Sequence, residues 1–338
     1  MTVPILALTM GDPAGVGPEI IAKALGRVED LAGCLPFVVG DYATMQGQAQ
    51  YLQPGYSFVR VASAEEVKAL PKTHFGVYQP HGNLHGIVAG QLSAQAGQAA
   101  AAYVYGAIEL AKQGAIQGIV TAPLNKAALH MGGDTHPGHT EMLAEGFGVE
   151  NYAMVLAAEG SYVFHVTTHC SLRDAIGLLT VESVLQRIIL AHLLAKALGQ
   201  EQDVIGVAGV NPHAGENGLF GTEEIDTIAV AVEQAKAQGI PVVGPLPADV
   251  LFPQMARGKY HFAIAMYHDQ GHAVFKALYF DTGVNITIGL PVIRTSVDHG
   301  TAFDIAGKGI AQEQSMVEAI LLAAKLGPSW KSISEQSQ

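Results

Sequence analysis

The chain has 338 residues, of which 49% are hydrophobic and 14% are charged; domains commonly run to about 100 to 200 residues, so about two domains are predicted. The charged fraction lies far below the usual ~25%, which excludes a disordered chain, and the 39 glycines follow no three-residue period, which excludes collagen. The 18 Lys and Arg against 30 Asp and Glu give a net charge of −12, which disfavours nucleic acid and anionic membranes as partners.

Two further features of the composition concern where the protein works and with what partner. No apolar run approaches the ~20 residues that span a bilayer, and the first residues do not have the pattern of a signal peptide, so we expect a cytoplasmic protein. Cys34 and Cys170 are too few for a disulfide framework, and we expect reduced thiols. The low charged fraction also suggests that part of the surface is covered by a second subunit.

Short apolar runs alternate with helical stretches along the chain, and this pattern predicts an α/β fold. Strands are predicted at Ile5–Thr9, Phe37–Gly40, Gly118–Thr121, Tyr152–Ala157, Tyr162–Thr167, Val204–Val210, Phe262–Met266 and Val284–Ile288. Helices are predicted at Gly17–Leu25, Gly90–Gln113, Val181–Leu198, Thr222–Gln238 and Gln314–Leu326. Because no linker divides the chain, we expect two interleaved lobes, about 1–125 with 295–330 in one and 126–294 in the other, followed by a tail at 331–338.

The segment Gly11–Glu19 directly follows the first predicted strand and opens a helix. Pro18 suits the first helical turn, and the glycines allow backbone amides to approach a phosphate or carboxylate. The spacing is G-x-x-x-G-x-G, with Ile20 where the dinucleotide fingerprint G-x-G-x-x-G has its third glycine. A standard Rossmann fold is therefore not predicted, and the segment forms either a ligand loop or a tight structural turn.

Three histidines, His169, His213 and His268, each follow a predicted strand. The carboxyl ends of strands line the ligand crevice in open α/β folds, so three imidazoles can converge there and hold a catalytic metal with one open position. Hydrogen-bonded structural histidines are the alternative, because no local metal signature accompanies them. Asp269 is a candidate for orienting an imidazole or for binding the metal directly, and Asp249 for the same role or for capping a helix.

Several polar and cationic side chains stand in apolar or Gly-rich segments and are candidates for binding an anionic substrate: Lys126, His139, Thr140, Lys276, Asn285 and Arg294. The clearest is Arg294, because the run Leu290–Ser296 is too apolar for an exposed loop. A phosphate or carboxylate ligand fits the bidentate geometry of a guanidinium, and an internal Asp or Glu is the alternative. The motifs of P-loop kinases and of many serine hydrolases are absent.

Six segments together resemble the 4-hydroxythreonine-4-phosphate dehydrogenase family over nearly the whole chain: Gly11–Glu19, Gly138–Glu141, Thr167–His169, Asn211–Glu216, Tyr267–Gly271 and Gly283–Thr301. The resemblance implies an isocitrate-dehydrogenase-like, two-lobed α/β/α sandwich. It also implies a homodimer that uses NAD and a divalent metal such as Zn, Mg, Mn or Co.

The resemblance further implies roles for individual residues. The three histidines, His169, His213 and His268, would bind the metal at the subunit interface. The phosphorylated substrate would contact His139, Thr140, Lys276, Asn285 and Arg294. We expect Asp12, Gly15, Asp298 and Gly300 to line the cleft near the cofactor.

Two features, the segment Thr121–Lys126 and His272, make the chain more similar to the branch that acts on D-threonate or D-erythronate 4-phosphate. The other branch oxidises 4-hydroxy-L-threonine 4-phosphate in vitamin B6 biosynthesis. In either case we expect NAD-dependent oxidation of a 4-phosphorylated 3-hydroxy acid, followed by decarboxylation of the 3-keto acid. Lys276 is the first candidate for proton transfer, with Asp269 and Asp249 as alternatives.

Two other classes of protein fit part of this pattern. A metal-dependent phosphatase or aldolase would also use histidines, a metal and a phosphate pocket, and a metabolite-binding protein would keep the pocket without turnover. Reduction of NAD separates the dehydrogenase from all of them.

Overall fold

The computed structural model describes residues 3–280 and 282–335. The chain forms two compact units, the first made of residues up to Glu150 together with Leu290–Glu335, and the second of Asn151–Gly289. The strands are β1 (Ile5–Thr9), β2 (Leu35–Val39), β3 (Ser57–Val61), β4 (His74–Tyr78), β5 (Gly118–Thr121), β6 (Ala153–Ala158), β7 (Ser161–His165), β8 (Ile205–Ala208), β9 (Val242–Leu246), β10 (Phe262–Ala265), β11 (Val284–Ile288) and β12 (Ile293–Val297).

The α-helices are α1 (Gly17–Gly26), α2 (Tyr42–Gln46), α3 (Ala64–Val67), α4 (Ala94–Lys112), α5 (Lys126–Met131), α6 (His139–Phe147), α7 (Leu172–Gly177), α8 (Val181–Ala197), α9 (Ala229–Ala237), α10 (Ala248–Ala256), α11 (His268–Tyr279) and α12 (Gln314–Glu335). A π-helical turn at Glu224–Ile228 leads directly into α9. Short 3-10 segments lie at Ala49–Tyr51 and Pro212–Gly218.

In the first unit the described strands are parallel and lie in the order β3-β4-β2-β1-β5-β12. Every residue of β1 is buried, as expected for a central strand covered on both faces. Helices α4 and α12 pack on this sheet. Helix α5 in turn packs against α4, and Gly97 makes that approach possible because a Cβ there would lie 1.8 Å from the carbonyl oxygen of Ala128.

In the second unit the order is β11-β6-β7-β10-β8-β9. Strand β6 pairs antiparallel with both β11 and β7, whereas β7, β10, β8 and β9 run parallel to one another. The core includes Phe252, Met255 and Phe275 from the helices and Leu156 and Val163 from the strands. Because β7, β10 and β8 are parallel neighbours, the loops that follow them leave from the same edge of the sheet.

The predicted fold class is confirmed: the structure is α/β, with a strand order different from the standard Rossmann arrangement. Every strand and helix predicted from the sequence is present, whereas β3, β4, β9 and β12 were not predicted. Across residues 3–280 and 282–335, no helix combines the length and apolar character needed to cross a bilayer.

Two details of the predicted organisation differ from the structure. Residues 126–150 belong to the first unit, because α5 and α6 pack against α4; residues 290–294 also belong to it, because β12 pairs with β5. Residues 331–335 continue α12 rather than forming a tail, and Trp330 fixes the preceding turn by donating its indole N–H to the carbonyl oxygen of Leu290 at 2.8 Å. The last three residues of the expected tail lie outside the described part.

Candidate active site

Two of the three predicted metal ligands lie close together in the second unit. His169 follows β7 and His268 begins α11 after β10, and their ring centroids are 6.0 Å apart. Both line a cavity of about 460 Å³ together with the segment Thr167–Leu172, Tyr267 and Asp269. His213 instead contacts Phe220, with ring centroids 6.3 Å apart.

Within the part of the chain that the structure describes, no group of three His, Cys, Asp or Glu side chains is placed to hold a metal ion. A single chain therefore brings together His169 and His268 but does not add His213 to them.

Asp269 orients the imidazole of His268. The Nδ1–H of His268 donates to Oδ1 of Asp269 at 2.7 Å. This contact places the ring proton on Nδ1 and leaves the lone pair of Nε2 for a metal, as in many carboxylate–histidine–metal arrangements. Asp269 itself is largely exposed.

Gln270 holds the neighbouring loop ends in register. Its side-chain oxygen accepts from the amide of Met266 at 2.6 Å, and its side-chain amide donates to the carbonyl oxygen of Gly209 at 2.7 Å. The buried amide thus connects the end of β10 with the end of β8. In the sequence, Gln270 stands out only as part of the motif Tyr267–Gly271, because nothing there shows which loops its side chain joins.

Helix α11 presents a stripe of basic side chains at four-residue spacing: His268, His272 and Lys276, which places them on one helix face. The rings of His268 and His272 are stacked, with centroids 4.1 Å apart and planes at 11°. Lys276 is half-buried, and its Nζ lies 5.5 Å from the ring centroid of Phe280. The candidate acid–base residue therefore shares a helix face with the candidate metal ligand.

His165, at the end of β7, lies beneath this stripe and was not singled out in the sequence. Its ring centroid is 5.5 Å from that of His272 and 6.0 Å from that of His268. It is 2% exposed, and neither ring nitrogen has a hydrogen-bond partner among the described residues. Burial, reinforced by the two neighbouring imidazoles, lowers the pKa of His165 to about 3. A histidine inside a predicted buried strand was the signal available.

His213 stands on a strained left-handed turn. The five residues from His213 to Asn217 all have positive φ, between 44° and 78°, a conformation that costs non-glycine residues about 1–2 kcal/mol each. The buried carboxylate of Glu224 holds the start of the turn by accepting from the backbone N–H groups of Val210 and Asn211, both at 2.7 Å. Such strain persists only where neighbouring contacts fix it, so Glu224 positions His213.

A second cavity of about 690 Å³ lies on the other side of Tyr267 and Asp269, which border both cavities. It is mainly apolar, with Phe252 and Leu278 in its wall and Asp249 at its edge. Asp249 belongs to the first turn of α10, while the capping position is Pro247. The structure therefore does not support the helix-cap interpretation of Asp249.

In the first unit, Arg294 is buried in β12, with 5% of its surface exposed. Its Nε and Nη2 donate to the hydroxyl oxygen of Thr121 at 3.2 and 2.7 Å. Burial lowers the pKa of Arg294 to about 10, while the charge of Glu141 acts in the opposite direction. The guanidinium is therefore a cation at neutral pH, and the hydroxyl oxygen of Thr121 is one of its acceptors.

Helix α6 begins at His139, directly after Gly138, and carries Thr140 in its first turn. Backbone N–H groups at a helix N-terminus favour anions. Nε2 of His139 is buried and has no hydrogen-bond partner among the described residues. Burial and the charge of Arg294 hold the pKa of His139 well below its usual range. His139, Thr140 and Arg294 are thus three of the predicted substrate contacts within one unit.

The other two predicted substrate contacts belong to the second unit. Lys276 lies on α11 and Asn285 on β11, and both are half-buried.

The glycine-rich loop after β1 meets the segment after β12. The amide of Val16 donates to the carbonyl oxygen of Thr301 at 3.0 Å, and a Cβ at Gly15 would lie 3.0 Å from Cβ of Thr301. Gly15 therefore keeps this contact close. The segment that carries Asp298 and Gly300 is in this way held against the loop that carries Asp12.

Asp12 is a buried carboxylate with one satisfied oxygen. Oδ1 accepts from the amide of Ala14 at 2.8 Å, whereas Oδ2 is buried without a hydrogen-bond partner among the described residues. Burial raises the pKa of Asp12 despite the hydrogen bond from Ala14. Oδ2 is therefore available to a ligand that donates a hydrogen bond.

Arg294, the start of α6 and the loop that carries Asp12 lie in the first unit, and the cavity lined by His169 and His268 lies in the second. Residues 32–323 match the family described as pyridoxal phosphate biosynthetic protein PdxA. The chain is 51% identical to D-threonate 4-phosphate dehydrogenase of Bordetella bronchiseptica, over 99% of this chain and 96% of that relative. It is 47% identical to 4-hydroxythreonine-4-phosphate dehydrogenase of Beijerinckia indica, over 95% of this chain and 94% of the relative.

A solved structure of 4-hydroxythreonine-4-phosphate dehydrogenase from Klebsiella pneumoniae superposes with a TM-score of 0.86 at 43% identity, covering 96% of this chain and 98% of that one. The chain belongs to the PdxA family, and the resemblance seen in the sequence is confirmed. It is an oxidoreductase of the dehydrogenase class. A nicotinamide cofactor and metal dependence are general features that this class implies.

Proposed function

We propose that the protein oxidises D-threonate 4-phosphate, or its epimer D-erythronate 4-phosphate, with NAD and decarboxylates the resulting 3-keto acid. The observation that carries this proposal is in the first unit, where Arg294 and Nε2 of His139 are buried and the charge of Arg294 helps to lower the pKa of His139. We propose that these two side chains form an anion site. The relative from Bordetella bronchiseptica, named for the D-threonate substrate, supports the choice within the family.

The anion site suits a phosphate group. A buried guanidinium offers a bidentate donor, the N-terminus of α6 adds backbone N–H groups, and neutral His139 can donate one further hydrogen bond through Nε2. Because these donors are fixed before the ligand arrives, binding energy at the phosphate can be used to orient the reacting end of the substrate.

For the metal we propose His169, His213 and His268 as ligands. Two of these imidazoles, His169 and His268, support this proposal. The separation of their rings suits a shared metal ion, and Asp269 leaves Nε2 of His268 free to bind it. Imidazole donors favour Zn or Co over Mg. When bound, the ion supplies a Lewis acid that stabilises negative charge on the substrate oxygen.

We propose a homodimer in which a second copy of the chain supplies the missing imidazole. Exposed apolar side chains follow two of the candidate ligands in sequence: Leu172 follows His169, and Leu219 and Phe220 follow His213. Phe280, directly after α11, is also 74% exposed. Clusters of exposed large apolar side chains are typical of subunit interfaces.

Lys276 is the candidate for moving protons. It lies on the same face of α11 as His268, whereas Asp269 already accepts the proton of that imidazole. We propose that Nζ of Lys276 takes the 3-hydroxyl proton as the hydride leaves, and returns a proton to carbon after carbon dioxide departs. Asp249, at the edge of the apolar cavity, remains the alternative base.

For the cofactor we propose the loop around Asp12 and Gly15, with Asp298 and Gly300 from the segment held against it. The unsatisfied Oδ2 of Asp12 accepts a hydrogen bond from a ribose hydroxyl or a carboxamide. A buried carboxylate would repel an additional phosphate, so NAD fits this position better than NADP.

The decisive experiment measures NAD reduction with D-threonate 4-phosphate, D-erythronate 4-phosphate and 4-hydroxy-L-threonine 4-phosphate side by side, with release of carbon dioxide and inorganic phosphate followed in parallel. We expect NADH and carbon dioxide in equal amounts, with the highest kcat/KM for one of the two threonate-type acids. Release of inorganic phosphate without NADH would replace the proposal with a phosphatase, and preference for the aminated acid would move the protein to the vitamin B6 branch.

A further inference from the structure

A cluster of ionisable side chains lies just before α6, outside the groups assigned above. His136 is at its centre. Its Nδ1 is 2.7 Å from Oδ1 of Asp134, and its Nε2 is 2.8 Å from Oε2 of Glu145. Tyr105 donates its hydroxyl to the other oxygen of Asp134 at 2.6 Å, and His130 donates Nε2–H to the carbonyl oxygen of His136 at 3.1 Å.

These contacts require a charged imidazole. Each ring nitrogen of His136 faces a carboxylate oxygen, which accepts and does not donate, so both nitrogens must carry a proton. The carboxylates of Glu145 and Asp134 accordingly raise the pKa of His136. Burial alone would raise the pKa of Asp134, but hydrogen bonds from Tyr105 and His136 lower it.

The two sides of the cluster differ in exposure. The side chains of His136 and Asp134 are 20% and 10% exposed, whereas that of Glu145 is 78% exposed. Water and salt therefore weaken the pair with Glu145, and the pair with Asp134 is the stronger one. Through Asp134 and Tyr105, the cation of His136 is anchored to α4.

The cluster lies next to the substrate side chains of the first unit. His136 precedes Gly138, the residue before α6, and Glu145 lies on the same helix as His139 and Thr140. The imidazolium therefore connects the start of α6 to α4 through Asp134 and Tyr105, while His130 adds a contact from α5.

We infer that His136 is a positioning residue for phosphate binding: its cation fixes the segment that leads into α6 and so holds His139 and Thr140 in place. This inference rests on the proposed role of α6 in binding the substrate phosphate. It does not require His136 to touch the substrate.

The inference has a definite pH dependence. The folded-state pKa of His136 is raised. The ion pairs of His136 with Asp134 and Glu145 are therefore complete at pH values below the ordinary pKa of histidine, and they are lost as the pH rises through the raised pKa. The carboxylates of Asp134 and Glu145 are the groups that face the ring. Tyr105 contacts Asp134, and His130 contacts the backbone carbonyl group of His136. KM for the phosphorylated acid should therefore rise with pH above the pKa of His136.

The test compares wild type with His136→Gln and Tyr105→Phe, in which the cation or its anchor to α4 is removed. We expect His136→Gln to raise KM for D-threonate 4-phosphate by roughly three- to tenfold at neutral pH, with kcat nearly unchanged. The rise of KM with pH should disappear in this variant. Tyr105→Phe should raise KM by a smaller factor and keep the pH dependence.

Hydrogen exchange of the ligand-free protein provides a readout that needs no turnover. The amides of residues 142–146, the first in α6 that donate within the helix, should exchange faster in His136→Gln, while those of α4 remain protected. The matched control is His261→Gln, which removes another histidine–aspartate pair, with Asp203, in the second unit. It should change neither KM nor exchange in α6.

The outcomes separate this inference from the proposed function. If wild type turns over the phosphorylated acid but His136→Gln leaves both KM and exchange at residues 142–146 unchanged, the positioning role is refuted and the dehydrogenase stands. If no phosphorylated acid is oxidised, the proposed function fails. Unchanged hydrogen exchange in His136→Gln would still refute the positioning role of His136. Thermal unfolding of each variant excludes global loss of structure as the cause.

Discussion

The proposed anion site of the first unit, formed by Arg294 and His139, differs in its construction from the histidine cleft of the second unit, the cavity lined by His169 and His268. In the first, Arg294 and Nε2 of His139 are buried and fixed by secondary structure before any ligand arrives. In the second, His169 and His213 are exposed, and among the residues that the structure describes one chain does not bring three metal ligands together.

The difference follows from the cost of burying each kind of group. A guanidinium loses its hydration when it is buried, so the protein must provide fixed acceptors such as the hydroxyl of Thr121. An exposed imidazole needs no partner before the metal binds, because the free energy of metal binding offsets the cost of ordering the ligands. The comparison therefore predicts a preformed phosphate site and a metal site that is completed by assembly.

The largest effect is expected from disrupting the histidine cleft. Removal of the metal with a chelator should lower kcat/KM by about 1000-fold or more, because charge on the substrate oxygen is then unstabilised. His268→Ala should have the same effect, and a divalent ion should restore activity to the chelated wild type only. Full activity after exhaustive chelation would exclude the metal.

Mixing two inactive variants tests whether the cleft is assembled from two chains. If His213 and His268 of one site come from different chains, mixed dimers of His213→Ala and His268→Ala contain one intact site, and about a quarter of wild-type activity should return on random exchange. An absence of complementation, with exchange of subunits demonstrated, would place all the ligands in one chain.

Much of the fold could be predicted because its elements differ locally in pattern. The buried apolar run of β1 and the Ala-rich helix α4 are recognisable without tertiary information. Strand β12 was missed because Arg294, Thr295 and Ser296 interrupt its apolar pattern, although all three side chains are buried in the structure. Tertiary pairing with β5 decides its conformation.

The candidate site was predictable only in its chemical types. The sequence identified His169 and His268 but had no means to show that His213 stays apart from them. It also contained no signal for Glu224, because a carboxylate that caps two backbone amides thirteen and fourteen residues away has no fixed spacing. The sequence did not indicate a role for His136 either, because that role depends on the contacts of its two ring nitrogens.

A smaller but more selective effect is expected at the preformed site. Arg294→Ala should raise KM for the phosphorylated acid by roughly 100-fold, because charge-assisted hydrogen bonds to the phosphate are lost, while kcat falls less. An unchanged KM would make this arginine a structural residue only.

The matched control is Arg187, a half-buried arginine, whose Nε and Nη1 donate to the carbonyl oxygens of His165 and Tyr152. Arg187→Ala should lower the free energy of unfolding without a selective rise in KM. Equal effects of the two substitutions on KM and on stability would remove the distinction between a binding and a structural guanidinium.

The smallest effect concerns the pH dependence of stability in the ligand-free protein. The native pKa of His139 is lowered by burial and by Arg294, so below about pH 6.5 the unfolded chain takes up a proton that the native chain does not. The free energy of unfolding should therefore fall as the pH decreases, by up to about 1.4 kcal/mol per pH unit from this group.

Urea unfolding of wild type and His139→Asn at about pH 7 and about pH 5.5 measures this contribution. The variant should lose less stability between the two pH values than wild type does, whereas the same substitution at exposed His85 should not alter the slope. A slope for His139→Asn equal to that of wild type would mean that His139 is protonated in the native protein. The first unit would then hold a second cation beside Arg294.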